Sequence, residues 1–294
     1  MKKRNGGQIL FKLLVLCSVS FMLLFVQACS SQQANQSTST KESKDEAKVE
    51  ERNESNQQNA KPKKEEKLNE EDSKDLRDND DTIEPQYEIS PETSLVKPLK
   101  EGINEKVVLL TIDDAPDQYA LEMAKHLKDL DVKAIFFVNG HFLRSDEEKE
   151  ILKKIHSMGF PIGNHTMTHQ NLNDLTKEQQ RKEIIQLNQL IKEVTGEKPR
   201  FFRAPFGENT ETSKKIIEEE QMIAMNWTYG YDWESEYQNK EALTKIMVDS
   251  PFLTNGANLL MHDRVWTRDA LPDIVKGLQN KGYTIVDPAL IKGL

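Results

Sequence analysis

Apolar and polar positions divide the chain into three stretches. Residues 9–26 are mainly apolar, interrupted by Lys12. From residue 30 to about residue 90 apolar positions nearly vanish. Between Cys29 and Tyr87 there is no aromatic residue, and Val49, Leu68, Leu76 and Ile83 are the only aliphatics larger than alanine. From about Leu95 onward, short apolar runs alternate with helical stripes. Runs at 107–112, 134–138, 160–163, 200–203, 222–226, 258–261 and 283–286 predict strands. Ala120, Met123, Leu127 and Leu130 form a stripe at helical spacing. Thr176 and Gln179 form a capping box, and Ile184, Leu187, Ile191 and Val194 carry that helix to Gly196. Strands alternating with helices predict an α/β fold with about seven parallel strands. A closed barrel and an open doubly wound sheet both fit this pattern. No glycine-rich phosphate loop follows a strand, which argues against nucleotide binding.

Composition changes the reading at the two ends. A Met-Lys-Lys-Arg start, an apolar core and a small residue at Ala28 predict a secretory signal over residues 1–28. Leu24-Phe25-Val26-Gln27-Ala28-Cys29 resembles a bacterial lipobox, with Cys29 as the acylated first mature residue. A plain cleaved signal and an uncleaved anchor are the alternatives, and all three place the folded part outside the cytoplasmic membrane. Residues 29–95 are expected to be a disordered, charged tether, because so few apolar groups cannot offset the entropy of ordering. About 60 such residues reach on the order of 40 Å root-mean-square. The folded domain is expected over 96–294. Its only possible disulfide partners, Cys17 and Cys29, lie outside it, so its own core must stabilise it. A net charge of −9, without a basic patch interleaved with aromatics, argues against nucleic acid. No obligate protein partner is evident.

Chemistry-bearing residues collect where strands end. The first strand runs into Asp113 and Asp114, then Pro116. Taken alone, Asp-Asp-x-Pro is as good a turn as a site. The third runs into His165-Thr166-Met167-Thr168-His169, whose histidines face one way if the segment is helical. The fourth ends in Arg203-Ala204-Pro205-Phe206. An aromatic stretch closes on Asp232-Trp233, and the sixth strand ends in Leu260-Met261-His262. Each stretch alone has an ordinary structural reading. Five of them on the carboxyl rim of separate strands point to a site. Two histidines and a carboxylate make a metal site that leaves positions open for water and substrate. His126, His141 and His156 look like ordinary helix or loop residues.

In this order, the five stretches resemble the five motifs of the polysaccharide deacetylases, the NodB-homology domain or carbohydrate esterase family four. The resemblance covers about residues 106–288. It implies a distorted (β/α) barrel and the hydrolysis of acetyl groups on amino-sugar polymers. It implies Asp113 as general base and Asp114, His165 and His169 as ligands of a divalent metal. Zn²⁺ is favoured, with Co²⁺, Ni²⁺ and Mn²⁺ as alternatives. It implies Arg203 orienting the base, Asp232 tuning His262, and His262 as general acid. Phe206, Trp233 and Leu260 would line the substrate groove. Ala115 stands where the family has glycine, and Tyr229 where it has an aspartate.

The expected enzyme faces the bacterial cell wall from a lipid anchor at Cys29, with peptidoglycan or chito-oligomers as substrate. Three rivals stand beside it: a non-catalytic wall-binding lipoprotein, an O-acetyl esterase on the same scaffold, and a non-haem iron oxygenase.

Overall fold

A computed structural model describes residues 84–293. The signal peptide, Cys29 and the greater part of the expected tether lie outside the described residues. Among those described, no helix is long and apolar enough to cross a membrane.

The organising strand is β3 (Val107–Ala115), after a short hairpin of β1 (Tyr87–Ile89) and β2 (Val96–Pro98). There follow α1 (Ala120–Asp129), β4 (Ile135–Val138), α2 (Asp146–Ser157), β5 (Ile162–Asn164), α3 (Lys177–Thr195) and β6 (Phe201–Phe202). The chain ends through α4 (Glu211–Glu219), β7 (Ile223–Ala224), α5 (Lys240–Val248), β8 (Ala257–His262), α6 (Val265–Asn280) and β9 (Thr284–Ile285). The large sheet has seven strands in the order β7-β6-β5-β4-β3-β8, with β9 pairing to the start of β3. Every pairing in it is parallel. The sheet curls into a half-barrel with helices around it, which resolves the choice the pattern left open.

The β3 run is buried on both faces, as an all-aliphatic parallel strand must be. Val108, Leu110 and Ile112 pack with the helices, together with Met123 and Leu127 of α1 and Ile274 of α6. Val107 and Leu109 face the other way, into a second cluster with Ile135, Phe137 and Phe201. The hairpin residues Tyr87, Ile89 and Val96 cover that second cluster. The described residues include core positions before the expected boundary at 96: Tyr87 and Ile89, assigned to the tether, are buried. Three-residue strands leave too short a pattern to be seen against polar surroundings. The capping box at Thr176 and Gln179 is present, and Gly196 closes α3 in the left-handed conformation, φ 87°.

Candidate metal and acid–base site

Consecutive residues of a strand point to opposite faces, so Asp113 and Asp114 should diverge. They do not. Asp114 adopts φ 61°, and the pairing of β3 with β4 shifts between Ile112 and Ala115. The irregularity re-aims a side chain, and both carboxylates line one cavity of about 330 Å³. The sheet register sets the other reactive group: Asp113 on β3 lies opposite His262 on β8.

The two histidines converge without the helix that their spacing suggests. Residues 165–169 form a loop in which Thr166 (φ 70°) and His169 (φ 56°) are left-handed. Hydrogen bonds hold this loop in shape. Asn164 accepts from the Thr166 N–H at 2.8 Å, and Glu183 of α3 accepts from both the N–H and hydroxyl of Thr168 at 2.8 and 2.7 Å. The imidazole centroids of His165 and His169 end 4.9 Å apart.

Asp114, His165 and His169 each offer a ligand atom, and these atoms lie within 4.8 Å of one another. Further details fit a divalent cation. His165 Nδ1 is 2.7 Å from the Arg203 carbonyl oxygen; donating its proton there leaves Nε2 free as a ligand. Burial, which outweighs the nearby Asp113 charge, pushes the His165 pKa down and favours the neutral ring a metal needs. Arg264, at the start of α6, donates to Asp114 Oδ2 at 3.2 Å, while Asp114 Oδ1 lies 3.7 Å from His169 Nε2. One carboxylate oxygen is thus anchored and the other faces the histidines.

Arg203 is fully buried beside them. Its guanidinium donates to Asp113 Oδ1 at 2.7 Å and to Thr111 Oγ1 at 2.9 Å, and lies 4.4 Å from the centre of the Phe137 ring. Gly163 lets that ring sit where it does, since a Cβ there would come within 2.4 Å of it. Across the cavity, Asp232 Oδ1 pairs with His262 Nδ1 at 2.7 Å, and its Oδ2 accepts from the His262 N–H at 2.6 Å and Thr267 Oγ1 at 2.7 Å. Burial acts to lower the His262 pKa. The charge and hydrogen bond of Asp232, with smaller help from Asp113 and Asp114, outweigh it, and the net shift is upward.

Phe206 and Trp233 form the rim, 61% and 44% exposed. Phe206 packs edge-on against His169 and Trp233 against His262, at 5.0 and 5.5 Å between ring centres. Leu260 lines the interior. The structure therefore brings Asp113, Asp114, His165, His169, Phe206, Trp233, Leu260 and His262 to one cavity, with Arg203 and Asp232 bonded directly behind it.

A family profile described as polysaccharide deacetylase matches residues 100–224. A peptidoglycan-N-acetylglucosamine deacetylase of Bacillus cereus is 32% identical over 193 residues, which cover 62% of this chain and 69% of that protein. This chain belongs to the polysaccharide deacetylase family. Its similarity to the peptidoglycan-N-acetylmuramic acid deacetylase of Bacillus subtilis is 28% over 205 residues, covering 69% of this chain and 41% of that one. Among solved structures, a family-four pseudoenzyme from Bacillus anthracis matches at 31% identity and a TM-score of 0.56. That match covers 62% of this chain and 63% of the other.

Seen within the polysaccharide deacetylase family, the two departures are local. Ala115 is buried strand, and the left-handed residue is Asp114 before it, so the alanine methyl meets no backbone penalty. Tyr229 is in the core. Its hydroxyl donates to the Met247 carbonyl at 2.8 Å, and it does not line the cavity. Sequence reasoning missed Arg264 and Asp263. The Asp263 carboxylate accepts from the Gln118 and Tyr119 N–H groups at 3.0 and 2.6 Å, fixing the turn after β3. An arginine just past a strand end carries no pattern of its own. Its carboxylate partner lies 150 residues away.

Proposed function

We propose that this chain is a hydrolase that removes N-acetyl groups from amino-sugar polymers, with cell-wall peptidoglycan as the leading substrate. The observation that carries the proposal is the pairing of two opposed proton-transfer groups across the candidate metal site. Asp113 is held by Arg203 on one side, and His262 by Asp232 on the other.

A divalent cation, Zn²⁺ first among candidates, supplies Lewis acidity when held by Asp114, His165 and His169. Asp113 takes a proton from the attacking water, while Arg203 keeps its carboxylate turned to the cavity. His262 presents Nε2 to the leaving nitrogen, because Nδ1 is engaged by Asp232. It must begin protonated, and the Asp232 carboxylate favours that form. The C–N bond breaks, the carbonyl carbon keeps the water oxygen, and His262 gives its proton to the amine. Acetate and a free amino sugar leave. A backbone N–H of the Phe206 turn would help the tetrahedral oxyanion. The signal sequence and Cys29 support a lipid-anchored position outside the cytoplasmic membrane.

Acetate release from a panel of peptidoglycan fragments and chito-oligomers tests this reading. Asp113→Asn is expected to cut the rate about 10²–10⁴-fold with metal binding retained. The specific observation behind a second reading, a non-catalytic glycan binder, is the similarity to a pseudoenzyme. Metal and glycan binding without acetate from any substrate would establish it, whereas acetate from O-acetyl substrates alone would make the chain an esterase.

A further inference from the structure

The catalytic cavity takes no lining residue from β4, although β4 lies between β3, which carries Asp114, and β5, which leads to His165. The four residues of β4 are apolar and buried. Asn139 follows them directly. It is fully buried and does not line the cavity either. A polar side chain in such a place is kept by the bonds it makes.

Those bonds run to both neighbouring segments. The Asn139 backbone N–H donates to the Ala115 carbonyl, one residue past Asp114, at 3.1 Å. Its side-chain Nδ2 donates to the carbonyl of His165 itself at 2.5 Å and reaches the Thr166 carbonyl at 3.5 Å. The Gly140 N–H adds a bond to that Thr166 carbonyl at 3.2 Å. Left-handed Thr166 (φ 70°) turns these two successive carbonyls to one side, and residues 139–140 meet both. Two acceptors facing one end of the amide fix that end as nitrogen. The other end, Oδ1, is buried without a hydrogen-bond partner. A carbonyl left dry costs stability, and an apolar side chain of similar volume would avoid that cost. What the amide supplies in return is a tie between the backbones of two candidate ligands.

We propose that Asn139 is a positioning residue for the metal: it holds the 165–169 loop at a fixed distance from the end of β3, so that Asp114 and the two imidazoles stay within reach of one cation. The proposal rests on the metal-dependent reading of the site. Asn139 touches neither ion nor substrate. It acts on affinity and coordination geometry, since a ligand whose backbone drifts must be drawn back at a cost to binding. The coupling is reciprocal: if the clamp favours the ion, the ion must favour the clamp.

The experiment measures Zn²⁺ affinity by chelator competition in wild type, Asn139→Leu and Asn139→Ala, each checked for fold by circular dichroism. It also records the visible spectrum of the Co²⁺-loaded forms. Affinity is expected to fall about ten- to hundredfold in both variants. The Co²⁺ bands are expected to shift, which a merely structural asparagine would leave unmoved. Unchanged affinity and spectrum in folded variants overturn the proposal while the metal site stands. If neither variant folds, hydrogen exchange of the Asn139 side-chain amide in wild type decides. Slower exchange with Zn²⁺ bound supports the clamp, and an unaltered rate overturns it. A wild type that binds no divalent ion overturns the metal site, and the clamp with it.

Discussion

Asp232 makes three side-chain hydrogen bonds, two of them to His262, and so fixes both the direction and the charge of that imidazole. A raised pKa keeps His262 protonated to higher pH, so activity that needs the acid should persist on the alkaline side. Asp232→Asn removes the charge that raises it. The alkaline limb of the kcat/KM profile is then expected to move to lower pH, with a loss of rate even at the optimum. An unmoved limb would assign the alkaline group elsewhere. Arg264 acts on the neighbouring group in another way. It anchors Asp114 Oδ2 on a residue whose backbone is already left-handed. Its positive charge opposes a cation, but it is a third exposed and screened, whereas the orientation it enforces is local. Orientation should win. Arg264→Met is expected to weaken Zn²⁺ binding about ten- to hundredfold, measured by competition with a chromophoric chelator. Unchanged affinity would leave the arginine a surface role only.

At the scale of elements, the hairpin is the least expected part of the fold. Tyr87 is buried, packs with Val107, Leu109 and Phe137, and donates its hydroxyl to the Asn104 carbonyl at 3.1 Å. Truncating a buried aromatic costs about 3–5 kcal/mol, from lost burial and the cavity left behind. Tyr87→Ala should lower unfolding free energy by roughly that amount in a urea titration, and exposed Glu88→Ala by less than about 0.5 kcal/mol. Similar small losses for both would mean that the hairpin is not part of the cooperative unit. The sequence shows β3 and β4 plainly because long aliphatic runs are buried on both faces. It hides β1 and β2 because three residues carry no period. It also shows the site unevenly. Asp113, His262 and Arg203 are legible because they terminate apolar runs. The convergence of His165 and His169 is not, because it comes from left-handed backbone and from hydrogen bonds to Asn164 and Glu183. Spacing suggested that the two histidines face one way, and the loop brings them together by a different route.

For the molecule as a whole, the candidate ligands join distant parts of one sheet. Asp114 lies near the end of β3, His165 and His169 follow β5, and β4 lies between the two strands. An ion shared by these groups binds the folded chain and has no comparable site when the chain is unfolded. It must therefore add to stability by mass action, about 2.7 kcal/mol at a hundredfold excess over Kd. For a folded part of this size each kcal/mol moves Tm by roughly 2–4 °C. Protein stripped with a chelator and restored with Zn²⁺ should melt about 5–10 °C higher than the stripped form, read by calorimetry without substrate. Asp114→Asn should abolish most of that gain. Asp113→Asn should keep it, because the three clustered ligand atoms come from Asp114, His165 and His169 and the proposed mechanism gives Asp113 the proton instead. A gain that survived in Asp114→Asn would place the stabilising ion elsewhere in the fold, and equal loss in both variants would merge the two roles that the geometry keeps apart.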